Sequence, residues 1–520
     1  MIRSNFLRCS LMLLVLSLVM QVRAQDYVES ALMFNRTTNG GSARIQALGG
    51  AQTALGGDYS AAHANPAGLG MFNRSEFTFS LGVNSNKTNS AFGGNKESGS
   101  RSVFNIPGIS YVHHMPDDRD GFLGGAFAFS LTRTNDFNRQ MDFRGRNSNS
   151  SIVDYFVGQS NGYTTQQFDD PQSNDFDPNY RVNHWNDPTG LAYYNYLIGP
   201  ASLLNPDFPD TEYFTYVGYP QVQQEEIQTK GATNQWNISY GANFTDKYFV
   251  GAGIGITSLK YRARKGFSEE FDNPETIQNL ILNENIDIRG TGFNATIGAI
   301  ARPVNFLQIG ISYRTPTVTG ITETYKASMS TRWSNFDYYG DGSEILGDNT
   351  DDPIATDEII SEYNLRTPSK LSTGIALLSK YGFFTADVDF TNPGKSKYKS
   401  TIDGIGFEGE NAVIKALYTE TVNYRFGAEY RLDIFRFRAG YGVMSNTFKS
   451  QYDLDNKITS LSGGIGIRKK SFYVDFALVN NRSKSIYQPY IFLDGSGPLV
   501  NQKHNFWTGM VTVGFTFESE

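Results

Sequence analysis

Residues 507–517 read WTGMVTVGFTF. On an extended chain Trp507, Gly509, Val511, Val513, Phe515 and Phe517 share one face, while Thr508, Met510, Thr512, Gly514 and Thr516 share the other. Successive side chains of a strand point to opposite sides, so this segment has an aromatic-ended apolar face and a small, hydroxylated one. FFTADVDF repeats the pattern, with Phe384, Ala386, Val388 and Phe390 opposite Thr385, Asp387 and Asp389. From Ser75 onward the chain divides into such segments of ~10 residues, each bounded by turn residues, which is the signature of membrane-spanning β-strands.

Composition agrees. The 520 residues are 39% hydrophobic and 14% aromatic with 52 glycines, yet only 19% are charged. Beyond the first 24 residues, no run approaches the ~20 apolar residues of a spanning helix. That excludes a helical membrane protein and leaves a β-rich chain, either secreted or set in a membrane as a barrel whose polar lumen keeps the mean hydropathy at -0.38. The N-terminus selects export. Arg3 and Arg8 precede the apolar run LMLLVLSLVM, and Val22-Arg23-Ala24 is a small-x-small cleavage site before Gln25, as in a Sec signal peptide over 1–24. Cys9 lies before the apolar run and leaves with it, which excludes a disulfide scaffold, a thiol nucleophile and thiolate metal sites. Removal of the leader takes three arginines and no acid, shifting the net charge from -7 to -10, a balance that does not suggest a nucleic-acid partner.

Connections alternate in length. Short turns fall at Met115 to Asp120, Thr245 to Lys247, Arg302 to Asn305, Ser379 to Gly382, Leu432-Asp433 and Lys469-Lys470. Longer loops cover about Ser85 to Ser102, Asn135 to Ala232, Ala263 to Asp287, Pro316 to Asn364, Lys399 to Thr421, Asn446 to Ile458 and Ser483 to Lys503. The alternation predicts an all-β, antiparallel transmembrane barrel of fourteen strands over 75–517, short turns toward the periplasm and long loops outside. An even count brings the ends together, so the sheet closes without an edge. A secreted sandwich or propeller is the alternative. It gives no reason for the short-long order, and no fixed-period repeat is present.

Residues 25–74 do not alternate and are rich in Gly, Ala and small polar residues, which suits a compact plug inside the barrel. The strings GGSAR (Gly40 to Arg44), GGAQTALGGD (Gly49 to Asp58) and NPAGL (Asn65 to Leu69) lead directly into the first alternating strand. This order resembles the N-terminal hatch of the FadL/TodX family of outer-membrane transporters for long-chain fatty acids and other hydrophobic compounds. TGFNATIGAIARPVNFLQIGISYRTPT (Thr291 to Thr317), YNLRTPSKLSTGIALLSKYGFFTADVDFT (Tyr363 to Thr391) and YRFGAEYRLDIFRFRAGYGV (Tyr424 to Val443) resemble its wall hairpins. The loops Asn135 to Ala232 and Pro316 to Asn364 show no family string.

The resemblance implies passive uptake of a hydrophobic molecule by a monomer in the outer membrane of a Gram-negative bacterium, among outer-membrane lipids and lipopolysaccharide, with no cofactor and no catalysis. Loops capture the ligand, hatch movement admits it to a pocket, and it leaves sideways through the wall at the third strand. Asn65, Pro66, Ala67 and Gly68 match the hatch motif, where proline would hold Asn65 toward the wall. The implied third strand, Gly121 to Thr134, contains Gly124 and Gly125, which could kink it open or simply ease packing. Asp387, Asp389, Arg425, Glu429, Arg431, Arg436 and Arg438 fall on non-lipid faces, where charges need partners; one of the arginines could instead receive a substrate carboxylate. His63, His113, His114, His184 and His504 show no metal-ligand spacing, and FDYYGDGSEILGDNTDDP lacks the full calcium-loop pattern. A non-transporting barrel that serves protein export or surface attachment is the competing function, and a barrel lipase or protease lacks a visible site.

Overall fold

A computed structural model describes residues 22–38, 40–117, 119–168, 186–272, 276–402, 406–452 and 454–518. The leader reading, with Arg3, Arg8 and Cys9, lies outside these residues except for Val22 to Ala24, which begin helix α1 (Val22–Asn35). Among the described residues no helix is long and apolar enough to cross a membrane.

Fourteen antiparallel strands form one closed sheet. They are β1 (Ser75–Phe92), β2 (Asn95–Pro116), β3 (Phe122–Asp136, continued by Arg139–Gly145), β4 (Val222–Phe244), β5 (Tyr248–Glu270), β6 (Ile277–Val304) and β7 (Leu307–Arg314, continued by Val318–Asp337). The circle continues with β8 (Ile359–Arg366 and Lys370–Ser379), β9 (Gly382–Thr391 and Lys397–Ser400), β10 (Thr421–Leu432), β11 (Phe435–Met444), β12 (Ile458–Arg468), β13 (Phe472–Tyr487) and β14 (Val500–Phe517). The ladder from Ser75↔Phe517 to Ala91↔Asn501 joins β1 to β14 and closes it. Phe384, Phe426, Phe437, Ile465, Phe476 and Phe515 are among the exposed residues of an outward apolar band.

Several expected loops are strand. The segment 85–102 is a continuous ladder around a two-residue turn at Gly93 and Gly94, both with positive φ as a tight hairpin of this hand requires. The expected loops at 263–287, 316–364 and 483–503 likewise contain the upper parts of β5–β8, β13 and β14. Above the apolar band both faces are polar: on β1, Asn84, Asn86, Thr88 and Ser90 point inward while Ser85, Lys87 and Asn89 point outward. Without a change of polarity the period-two signal disappears although the backbone ladder continues.

The long insertion between β3 and β4 roofs the long-loop end. Its helices, α4 (Ile152–Ser160) and α5 (Pro188–Tyr194), start at Ser151 and Asp187, whose side chains accept from backbone amides of the first turn. Ile152, Val153, Phe156, Leu191 and Leu197 pack with Phe267, Leu280, Met329 and Trp333 from the upper wall. Glu269 pins this cap. Fully buried, it accepts from the Ser151 hydroxyl, from the Ile152 amide at 2.8 Å and from Gln223 Nε2 at 2.6 Å. Burial pushes its carboxyl up to about 7.

A carboxyl raised in the folded state binds its proton more tightly there than in the opened state, so the cap gains stability as pH falls through about 7 toward the ordinary carboxylate range. Amides of residues 152–160, corrected for intrinsic exchange, should therefore be roughly tenfold or more better protected at pH 5.5 than at pH 8. In Glu269→Gln the difference should vanish.

Candidate functional site

The N-terminal segment lies inside the barrel. After α1 come two short helices, α2 (Ala43–Ala47) and α3 (Ala61–Ala64), and a 3-10 turn over Pro66–Met71. Its backbone leans on wall residues that have little or no side chain. A Cβ on Gly251 would strike Pro66, one on Gly298 the Asn65 side chain, one on Gly310 the Thr53 carbonyl, and ones on Gly427 and Gly440 Leu48 and Gly49. These glycines let two backbones approach as no other residue could.

Wall hydroxyls and one carboxylate complete the attachment. Ser239 donates to Ala62 O at 2.8 Å, Ser312 to Ala64 O at 2.7 Å and Ser462 to Ala47 O at 3.1 Å, while Thr512 accepts from the Ala43 amide at 2.8 Å. Asp387 is the focal point. A single carboxylate oxygen accepts from the Gln52 and Thr53 amides at 2.7 and 2.9 Å and from the Thr53 hydroxyl at 2.8 Å. Asn65 is fully buried; its amide donates to Thr53 O at 2.6 Å and reaches Ala299 O at 3.5 Å, and its oxygen accepts from the Ala67 amide at 3.2 Å. Pro66 opens the 3-10 turn at its first position, and Ala67 and Gly68 are buried within it.

The seven charged positions separate into two sets and one outlier. Arg425 grips Asp389 through two bonds of 2.6 Å and lies 3.8 Å from Asp387, with Lys370 3.6 Å from Asp389. Glu429 pairs with Arg431 at 2.9 Å and Arg438 at 2.8 Å, and Arg438 also holds Asp475 at 2.6 Å. Arg44 of the N-terminal segment sits 3.7 Å from Glu429 and 3.9 Å from Asp58, coupling the second set to the segment. Arg436 belongs to neither. It donates to the carbonyls of Asp433 and Phe435 at the short-turn end, because its place beside the tight turn leaves those carbonyls nearest.

Gly124 and Gly125 do form a bulge: Gly124 has positive φ, and the β3–β4 register shifts between Phe122 and Gly125. Toward β2, however, the ladder runs unbroken through Met115↔Gly125 and Pro116↔Gly124, so the pair shapes the turn end of β3 and does not part the wall there. The wall parts at the opposite end of the same strand. Pairing of β2 with β3 stops at Gly108↔Thr132, just below Pro107, which has no amide to donate, and β1 shifts register against β2 at the same level. Above that point the N-terminal segment takes the place of β2. Thr38 donates to Thr134 O through its amide at 2.8 Å and its hydroxyl at 3.0 Å, and Asn135 donates to Met33 O and Arg36 O, both at 3.0 Å. Farther on, the continuation Arg139–Gly145 approaches β2 again where Gly99 meets the Gln140 backbone, which bounds a window between the two strands.

A cavity of about 2650 Å³ lies between the N-terminal segment, the upper wall and the cap. That is several times a usual small-molecule pocket of ~300–1,000 Å³, so it is a chamber and not a single fitted site. One side is apolar, with Phe34, Phe137, Leu259, Ile286, Ile288 and Leu365. Its floor includes Arg314, Lys370, Asp389 and Arg425, and it reaches Asn105, Pro107, Arg133 and Thr134 at the window. No group of three His, Cys, Asp or Glu among the described residues could hold a metal. His63 is buried against Arg314, His504 lies between Thr88 and Ser485, His113 lies near Ser75, and His114 donates its amide to Ser75. His184 lies outside the described residues. In the acidic loop Asp337 accepts from the Gly340 and Gly342 amides and Asp348 pairs with Arg332, so these carboxylates brace turns.

No protein-family model and no curated protein matches the sequence. Solved structures do match. A Pseudomonas aeruginosa FadL homologue superposes with a TM-score of 0.53 at 14% identity, covering 93% of this chain and 99% of that one. The chain has the FadL barrel fold. The toluene transporter TodX of P. putida has a TM-score of 0.50 at 12% identity, with 93% and 100% of the two chains covered. Identities this low establish the shared FadL architecture alone.

Sequence reasoning missed Arg44, Asp58, Lys370 and Asp475. Asp475 was within reach, since FYVDFALV places it opposite Phe476 by the same alternation that located Asp387. Asp387→Ala would strip three donors of the N-terminal segment of their acceptor while Arg425 keeps its two bonds to Asp389, a loss of about 1–3 kcal/mol for each donor left unsatisfied. The expected outcome is a lower unfolding temperature and new tryptic cleavage after Arg44. Gly298→Val should give the same cleavage through displacement of Asn65.

Proposed function

We propose that this chain is an outer-membrane transport protein that passes hydrophobic small molecules from outside the cell into the bilayer. The carrying observation is the continuity of the chamber: an apolar wall beneath the cap, a floor formed on the N-terminal segment, and an end at the β2–β3 window. The FadL homologue and the toluene transporter with the same barrel support the reading. Exported behind its signal peptide, the protein stands as a monomer in the outer membrane of a Gram-negative bacterium, with short turns in the periplasm.

In this reading a ligand enters beneath the cap, exchanges water for Phe34, Leu259, Ile286 and Ile288, and moves toward the window. Transfer into the bilayer needs no energy source because an apolar solute gains about 25 cal/mol per Å² of surface removed from water. Thr38 and Asn135 hold the segment across the window, so their bonds must yield for lateral exit. The Asn65 to Gly68 turn is the fixed pivot of that movement. The cationic side of the floor, Arg314, Lys370 and Arg425 against Asp389, favours an amphiphile with a carboxylate head, such as a long-chain fatty acid, over a plain hydrocarbon.

Cells that express the protein should accumulate a fluorescent long-chain fatty acid faster than cells without it. Ile288→Asp, which places a charge in the apolar side of the chamber, should lower that rate about tenfold at equal surface expression. Equal uptake with and without the protein would end the transport reading.

A further inference from the structure

Strands β13, β14 and β1 leave the outward apolar band at Leu478, Trp507 and Val83, all exposed. Beyond Asn480, Asn505 and Ser85, the outward positions toward the long-loop end carry Arg482 and Lys484 on β13, Lys503 on β14 and Lys87 on β1, again all exposed. Register sets them in two rows. Asn505 stands between Lys87 and Arg482, and Lys503 stands between Asn89 and Lys484. The other outward positions around them are uncharged: Ser85, Asn89, Asn480, Asn501 and Asn505, with the apolar Ala91 and Ile486 in the outermost row; opposite β1 on β2 stand Ser98, Ser100 and Ser102, with Lys96 beyond them.

Two features set this block apart. Lys484 and Lys503 are directly cross-strand, an arrangement in which like charges destabilise the pair unless an anion neutralises them. Furthermore, none of the four cations has an ion pair with a described residue, although the chain as a whole is acidic at -7. The opposite flank shows the usual remedy: on β5 and β6, Asp287 neutralises Arg262 at 2.6 Å and Arg264 at 3.2 Å.

We propose that the β13–β14–β1 face binds the phosphate groups of a phosphorylated glycolipid of the outer leaflet. The inference rests on the outer-membrane orientation given under Proposed function. The cations lie two to three outward positions above the apolar band, at headgroup depth, and the two rows are about 7 Å apart along each strand. A glycolipid fits better than a phospholipid because the surrounding serines and asparagines can hydrogen-bond sugar hydroxyls, whereas a zwitterionic headgroup would bring its own ammonium against four cations. Occupancy would also relieve the Lys484–Lys503 repulsion, so the bound lipid becomes part of the wall's stability.

The test is native mass spectrometry of the full-length protein in a non-ionic detergent, titrated with bisphosphorylated lipid A, with dephosphorylated lipid A and with phosphatidylethanolamine. Bisphosphorylated lipid A should bind best and weaken with added salt. Lys484→Gln with Lys503→Gln should lower its affinity roughly thirtyfold, the loss of two headgroup-level cations. Lys247→Gln with Lys469→Gln, at the short-turn end, should leave it unchanged. Lys484→Glu keeps the outcome readable if lipid stabilises the fold: without lipid it should unfold at a higher temperature than the parent, yet lose lipid A binding. Equal affinity in parent and double variant, or retention of dephosphorylated lipid A as tightly as the phosphorylated form, would overturn the proposal. Fatty-acid uptake by the double variant separates the readings, because unchanged uptake with lost lipid A binding supports both, and unchanged uptake with unchanged binding defeats only this one.

Discussion

A sheet immersed in lipid must pair every backbone amide and carbonyl within itself, because no water is present to do so. The closing ladder between β1 and β14 meets that constraint, and much else follows from it. Closure creates a lumen; the lumen must be filled or it is an open pore. The fill is the N-terminal segment, and because its backbone also needs partners, the wall supplies them with Ser239, Ser312, Ser462, Thr512 and Asp387. Inward glycines at 251, 298, 310, 427 and 440 provide the room. The ladder is interrupted at Pro107 and Thr132, where the proposed sideways exit lies, and the interruption is covered by the same segment that fills the lumen.

This arrangement divides the N-terminal segment into two mechanical parts. Residues 42–72 are bound to the wall at many points around the ring, including the ion-paired Arg44 and the Asp387 contact. Residues 27–38 instead line the chamber: Thr38 and Asn135 tie them to β3, Arg36 donates to the Asn456 and Ser445 carbonyls, and Val28, Ala31 and Phe34 pack with Tyr363, Tyr398 and Tyr418. In the proposed transport the first part is the foundation, and the Thr38 and Asn135 bonds of the second are the ones that open.

The sequence is most legible where a strand has different chemistry on its two faces. The apolar band against a polar lumen gives period two, and from it the fourteen-strand closure can be counted along the chain. Above the band Asn84 and Ser85, or Thr88 and Asn89, are polar on both sides, and there strand looks like loop. The charged lumen residues were visible one at a time as polar members of alternating sets. Their partner Arg44 was not, because it belongs to a segment without periodicity and meets Glu429, as it meets Asp58, only through tertiary folding. The same is true of Ser312 and Ser462, which look like any other small strand residue until a backbone carbonyl is found opposite. The glycine pair at 124 and 125 shows the converse: a strong local signal whose bulge lies at the turn end of the strand, while the ladder parts near a proline on its neighbour.

The most direct test of the central claim is photolabelling with a diazirine-bearing long-chain fatty acid, followed by mapping of the labelled peptides. Passage through the chamber predicts label on Phe34, Phe137 and Leu259 and on the strand segments around Asn105 and Arg133, competed by unlabelled fatty acid. Label confined to the outer apolar band, as any barrel in a bilayer would acquire, would contradict it.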